Sequence, residues 1–368
     1  MFFIKNTFRI FFAVYILFTA NVAFAQAPDL SSDFVILIDS YTGKVFYEKN
    51  ADSKAYPAST TKILTLITAL ENNSGKDTVT VSANAAAQEG STNYLRANEK
   101  YHLHELFYGM MLESGNDTAT AIAEHVGGNT INFAKLMNAM ARIMGAKNSN
   151  FVNPSGLPDN NHYTTARDMS MIARHAMQNQ MFRNIVSTYK KDWSRKNPQQ
   201  KSVITNTNML LDSYFGVTGI KTGQTNAAKK CLVASVKRKD IELIAVFFHS
   251  EPYCWSDARK LFDYGFSIIE PKVVYRKGDI VKTLPVSKGV KKADVIVNED
   301  VVLPINDDFD KYKIEVSTAK KLFAPLKKGQ EAGNIRVFHD GKEIKKIPLY
   351  TNEDIAKKEV SDSLLSGF

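Results

Sequence analysis

The hexapeptide Pro57-Ala58-Ser59-Thr60-Thr61-Lys62 sets a serine hydroxyl and a lysine amine three residues apart, directly ahead of the apolar run Ile63-Leu64-Thr65-Leu66-Ile67. If that run is a helix, residues three apart share a face and the amine lies one turn from the hydroxyl. The chemistry that fits is covalent. A serine becomes a nucleophile when an adjacent base takes its proton, and an amine is such a base once burial or a second cation lowers its pKa. Two later triplets supply candidates for that environment: Ser114-Gly115-Asn116, and Lys221-Thr222-Gly223 followed by Gln224. Lys221 would depress the protonation of Lys62. Ser114 would bond between the two amines and relay a proton to a leaving group, and Asn116 would offer its amide to Lys62 and to a substrate backbone. The backbone N–H groups of Ser59 and Gln224 would face a developing oxyanion, and Gly223 would admit the substrate backbone. Lys221 and Thr222 are left to bind a terminal carboxylate.

Those residues need a scaffold. Phe34 to Asp39 and Lys44 to Glu48 read as strands of a hairpin turned by Ser40-Tyr41-Thr42-Gly43. The helix of the first motif begins behind Pro57 and runs to about Leu70; being apolar on most faces, it belongs at the centre of a domain. Leu103, Leu106, Phe107, Met110 and Met111 recur at helical spacing, and the helix they define stops at the second motif. Another starts at once at Asp117, and a third spans Ile131 to Met144 with a methionine-rich face that reads as core. Thr165-Ala166-Arg167-Asp168 reads as a capping box opening the next. From Val217 the period changes to that of an antiparallel meander: Val217 to Thr222, Cys231 to Val236, Ile241 to Phe248. A helix from about Trp255 to Tyr264 follows. Pro271 marks a boundary, beyond which short β-rich runs include a hairpin at Asp340-Gly341.

With 368 residues, 44% hydrophobic and 23% charged, the chain has the composition of a globular protein with room for two or three domains. Lys5 and Arg9, an apolar stretch from Ile10 to about Val22, and Ala23-Phe24-Ala25 read in order as a secretory signal peptide over 1–25. An uncleaved anchor fits less well, because the run is short and holds Asn21. The net charge of +9 is scattered, which argues against nucleic acid as a partner. Two cysteines, Cys231 and Cys254, exclude a disulfide scaffold. His102 and His104 lack metal-ligand spacing, so neither metal nor cofactor is expected.

Taken together and in this order, the three motifs resemble the low-molecular-mass penicillin-binding proteins, the serine D-alanyl-D-alanine carboxypeptidases of bacterial cell-wall metabolism. The likeness covers nearly the whole chain, through "DSYTGKVFYEKNADSKAYPASTTK", "LESGND", "NPSGLPDNNHYTTARDM", "GVTGIKTGQT" with "LVASV", and the β-rich region after Pro271. It implies an α/β (α+β) transpeptidase/β-lactamase-like catalytic domain, an antiparallel sheet flanked by helices, over 26–268. A small C-terminal all-β domain would occupy 269–352 and a weakly amphipathic tail 353–368. Ser59 would attack the carbonyl between the terminal D-alanines of peptidoglycan stem peptides, release D-alanine and pass the acyl group to water. β-Lactam antibiotics would acylate Ser59 and leave slowly. The enzyme would work at the periplasmic or outer face of the cytoplasmic membrane.

Two departures from the family pattern stand out. An arginine often precedes the last catalytic-domain helix in relatives and holds the carboxylate; here the loop is His249-Ser250-Glu251-Pro252-Tyr253-Cys254, which hands the task to Thr222 and Lys221. The tail offers only Ile355, Val360, Leu364, Leu365 and Phe368 for peripheral membrane contact. Among other readings, a β-lactamase would need a deacylating glutamate between the second and third motifs, and the only one there is Glu124, in the helix after the second motif. An endopeptidase cutting cross-links would use the same residues. A penicillin-binding sensor without turnover would not need an activated nucleophile.

Overall fold

The computed structural model describes residues 26–193, 196–251 and 254–358. The expected signal segment 1–25 and the tail positions Val360, Leu364, Leu365 and Phe368 lie outside them.

Strands β1 (Phe34–Asp39) and β2 (Val45–Lys49) form the first hairpin. Between them and the meander lie helices α1 (Lys62–Asn72), α2 (Leu103–Leu112), α3 (Asn116–Gly127), α4 (Thr130–Ile143) and α5 (Ala166–Ala176). The meander is β3 (Val217–Thr225), β4 (Lys229–Arg238) and β5 (Ile241–Ser250), followed by α6 (Cys254–Ile268). The five strands make one antiparallel sheet in the order β2-β1-β5-β4-β3, so the strand carrying the third motif is an edge.

Both faces of this sheet are covered, which explains the near-continuous apolar runs of its central strands. Ile36, Ile38, Val233, Ile244, Val246 and Phe248 pack with the helices α1 to α5. Their alternates Val35, Leu37, Leu232, Leu243, Ala245 and Phe247 pack with Leu261 and Phe262 of α6. The period of two is present but sorts residues between two cores rather than between core and water. Helix α1 is buried along its first eight residues, as its all-round apolar sequence requires.

At the start of α5, Thr165 Oγ1 caps the Asp168 N–H at 3.0 Å, but the capping-box expectation is half right. The Asp168 carboxylate turns instead to the Asn148 N–H (2.6 Å) and the Ser149 hydroxyl (2.7 Å), tying the preceding loop to the helix.

Beyond α6 the regular elements among the described residues are strands apart from one 3₁₀ turn, Phe309–Lys311, with a five-stranded sheet ordered Ile280–Leu284, Ala293–Val297, Lys342–Thr351, Glu331–His339, Tyr312–Thr318 around its own apolar core. Ile355 is buried in that core and bridges Leu326, while Lys357 bridges Gly289. The two parts are joined by side chains as well as by the chain: Lys44 Nζ lies 2.5 Å from Asp308 Oδ2, and Arg174 donates to the Ile344 carbonyl at 3.4 Å.

Candidate active site

Ser59 does not sit in α1 itself. It lies in a 3₁₀ turn, Ala58–Thr61, that runs directly into α1 at Lys62, and Ala58 adopts a left-handed φ of +47°. The turn keeps the three-residue spacing effective: Lys62 Nζ is 2.9 Å from Ser59 Oγ. The same nitrogen donates to Asn116 Oδ1 at 2.8 Å and to the Ser155 carbonyl at 2.7 Å. Those two partners can only accept, whereas a serine hydroxyl can also donate. A neutral amine has two hydrogens and one lone pair, so the three contacts match it with the lone pair facing Ser59. Lys62 is fully buried, and burial drives its pKa well below the ordinary lysine value; the neighbouring Lys221 lowers it further and Asp117 opposes the shift.

The second motif forms the turn between α2 and α3. Ser114 takes a φ of +66°, and a Cβ on Gly115 would collide with the side chains of Asn93 and Thr118. The turn is fixed from below by the buried Asp117 carboxylate, which accepts the backbone N–H groups of Asn93 (2.9 Å), Leu95 (3.0 Å) and Thr118 (2.8 Å). Asn116 donates its amide to the Glu89 carbonyl at 2.6 Å, which leaves its oxygen for Lys62. Ser114 does not make the expected bridge between the lysines. Lys62 is met by Asn116 and Ser155, and Lys221 donates to the Thr222 carbonyl at 3.1 Å.

The third motif closes the cleft along edge strand β3. A Cβ built on Gly223 would stand 2.9 Å from the Ser59 nitrogen and 3.1 Å from Ala58 Cβ. The glycine therefore lets the strand lie against the nucleophile's turn, a reason beyond the substrate approach expected from sequence. Lys221 is buried behind this strand, where desolvation brings its pKa down to about 7. Thr222, by contrast, faces the cleft, its hydroxyl 2.7 Å from that of Thr207. The cleft, of about 350 Å³, is lined by Ser59, Ser114, Thr222, Gly223 and Gln224 together with Trp255.

Sequence reasoning missed several contributors. The Ser155 carbonyl is presented by a loop in which Asn153 Oδ1 accepts the Ser155 N–H (3.2 Å) and the Gly156 N–H (2.8 Å). Its only signal was the turn-forming "NPSG". Thr207 and Ser91 reach the cleft from polar loops with no motif of their own. Cys231 and Cys254 also line it, unpaired, and burial pushes the Cys231 thiol up to about 12. Glu124 is held by Ser82 (2.5 Å) and Asn84 (2.7 Å), away from the residues that line the cleft. In the loop before α6, His249 pairs with Asp33 at 2.5 Å; Pro252 and Tyr253 lie outside the described residues.

Residues 21–251 match the family model described as D-alanyl-D-alanine carboxypeptidase, and residues 270–357 match the C-terminal domain of penicillin-binding protein 5. The chain is 34% identical over 332 residues to D-alanyl-D-alanine carboxypeptidase DacF of Bacillus subtilis, covering 88% of this chain and 85% of that one. It is 31% identical over 345 residues to DacA of Escherichia coli, covering 89% and 84%. The solved structure of penicillin-binding protein 5 from Haemophilus influenzae superposes with a TM-score of 0.66 at 29% identity, over 90% of this chain and 99% of that one.

Proposed function

The chain belongs to the low-molecular-mass penicillin-binding proteins of the D-alanyl-D-alanine carboxypeptidase family, and from that premise we propose how its own residues perform the reaction. It is a serine-type hydrolase that removes the terminal D-alanine from peptide substrates. Ser59 is the nucleophile and Lys62 its base. The observation that carries this reading is the Lys62 amine, fully buried, 2.9 Å from Ser59 Oγ, with its two other contacts going to obligate acceptors.

The steps follow. Lys62 takes the Ser59 proton as Oγ bonds to the scissile carbonyl carbon, and the oxyanion that forms is met by the backbone N–H groups of Ser59 and Gln224. The C–N bond breaks, and the leaving amine of D-alanine receives the proton from Lys62 by way of the Ser114 hydroxyl. Lys62 then deprotonates water, which attacks the ester on Ser59; the acyl C–Oγ bond breaks, Lys62 returns the proton to Ser59 Oγ, and the shortened peptide is freed. Asn116 holds Lys62 in place. Thr222 binds the terminal carboxylate through its hydroxyl, and Lys221 acts from behind it by charge. A β-lactam enters the same path and stops at the ester.

Peptidoglycan stems are the substrate and β-lactams the inhibitors that the family supports, and the family likewise supports export of the chain. Signal cleavage after Ala25, a periplasmic setting, a part in cell shape and contact of the tail with a membrane extend that reading. No helix among the described residues is long and apolar enough to cross a membrane. Mass analysis of muropeptides after incubation tests the whole: the wild type should remove one alanine from pentapeptides and Ser59→Ala should leave them intact. Cleavage of cross-linked dimers without trimming would show an endopeptidase instead.

A further inference from the structure

Three segments of the β-rich part meet at one end of it. Val286 pairs with Leu322 and Ser287 with Phe323 in a short parallel ladder, Gly289 bridges Lys357, the Lys358 N–H donates to the Lys288 carbonyl at 2.8 Å, and Leu326 bridges Ile355. Residues 288–292, 320–328 and 353–358 together hold nine lysines against two acidic residues, a net charge of +7. Both acids are engaged, Glu353 with Lys291 at 2.5 Å and Asp354 with Lys327 at 3.4 Å. Lys288, Lys292, Lys320, Lys321, Lys357 and Lys358 are exposed and make no ion pair among the described residues. Spread along the sequence in ones and twos, these lysines are gathered only by the fold.

Two apolar side chains on the same segments stay out of the domain core. Phe323 is 61% exposed and Val290 58%, while Leu322 and Ile355 are buried in that core. Lys321 Nζ lies 5.4 Å from the Phe323 ring, so cation and ring look out together. The surface is also set apart from the catalytic part. Strands Tyr312–Thr318 and Lys342–Thr351 both begin against that part, where Lys44 Nζ lies 5.4 Å from the Tyr312 ring and Arg174 meets the Ile344 carbonyl, and both lead into the lysines. At about 3.3 Å per residue, the stretch from Ile344 to Thr351 covers about 23 Å.

A lysine is a compact point charge without the planar fork by which arginine grips a single phosphate or carboxylate. Nine lysines and no arginine suit a continuous anionic surface, and Phe323 and Val290 suit one whose deeper layer is apolar. We propose that this end of the β domain docks on anionic phospholipid, the lysines lying among the headgroups and Phe323 and Val290 entering the boundary with the acyl chains. The surface is separate from the tail 359–368, and the proposal stands independently of the carboxypeptidase reaction.

Sedimentation of the full chain with vesicles tests it, comparing phosphatidylglycerol and phosphatidylcholine at about 3:7 with phosphatidylcholine alone. The wild type should bind the anionic vesicles at least about 100-fold more strongly, a preference that weakens as salt is raised. Lys320→Gln, Lys321→Gln, Lys357→Gln and Lys358→Gln combined should lower that binding by about 10²- to 10³-fold, at roughly fivefold per charge. Phe323→Ser should lower it by about tenfold. Leu364→Ser, Leu365→Ser and Phe368→Ser combined leave the surface intact and should keep the anionic preference. Equal binding of the wild type to both vesicles would overturn the proposal, as would undiminished binding by the lysine variant or loss of the preference in the tail variant. Binding of soluble polyglycerol phosphate, with none to vesicles, would overturn it in favour of an anionic wall polymer.

Discussion

Lys62 Nζ stands 2.9 Å from Ser59 Oγ while spending its hydrogens on Asn116 Oδ1 and the Ser155 carbonyl. The three partners come from a 3₁₀ turn, the start of α3 and a loop more than ninety residues downstream of Lys62, so the amine is aimed by three separate parts of the fold. Lys62→Arg keeps a cation at the site but removes the base, because guanidinium does not deprotonate in proteins. The rate of acylation by a fluorescent penicillin should fall by about 10³-fold, the scale of lost general base catalysis. A variant that retained wild-type acylation would show that another group takes the Ser59 proton.

The two buried lysines give the pH profile opposite limbs. Lys62, its pKa driven well down by burial, must be neutral to act as the base, so kcat/KM falls as the pH drops through that lowered pKa. Lys221, at about 7, loses its charge as pH rises, and attraction for the substrate carboxylate weakens with it. For a peptide ending in D-Ala-D-Ala the rate should therefore decline above about pH 7. The corresponding peptide amide, which lacks the carboxylate, should show no such decline. Lys221→Arg should abolish the alkaline limb for the acid substrate; a limb that survives belongs to another group.

Gly223 is required by its neighbour rather than by its own conformation. Its added Cβ would stand 2.9 Å from the Ser59 nitrogen, a group that must stay free to meet the oxyanion. Gly223→Ala should push β3 off the turn and lower acylation about 100-fold, the cost of a misplacement near 1 Å. Thermal unfolding should shift little by comparison, since the strand is an edge and can move outward. An alanine variant with normal acylation would mean that the strand does not bear on the nucleophile.

What could be read in the sequence was whatever side-chain type and spacing carry. Ser59, Lys62, Asn116 and the Lys221 strand were legible because each contributes a functional group at a fixed offset from an apolar run. The Ser155 carbonyl was not, because a backbone oxygen has no residue signature and its placement depends on Asn153 turning the loop. Likewise the paired strands Thr78–Thr80 with Lys100–His102, and Lys190–Asp192 with Val203–Thr205, are three residues long and largely polar, too short to show a period. Ser114 illustrates the opposite failure: its identity was clear and it lines the cleft, but the hydrogen bonds of Lys62 and Lys221 go to other partners.

The same loop makes the site sensitive to acid through a residue that does no chemistry. His162 is buried between Thr61, one residue before Lys62, and Val152, whose N–H donates to its Nδ1 at 3.2 Å. With Nδ1 accepting, Nε2 carries the hydrogen that faces Thr61, and a proton on Nδ1 would set two donors against each other. Burial accordingly holds the ring pKa down at about 4, against about 6.5 for the unfolded chain. The folded state binds the proton less well, so stability is fully present above about pH 6.5, declines as the pH falls and levels off below about 4, by up to about 3 kcal/mol. Carboxylates add their own acid dependence, so the informative quantity is a difference. Between pH 7 and 4.5 the urea midpoint of the wild type should drop further than that of His162→Gln, which is less stable at pH 7 but has no ring to protonate. Acylation should follow, because the loop that Val152 anchors carries the Ser155 carbonyl to Lys62. Parallel losses in the two proteins would place the acid sensitivity elsewhere.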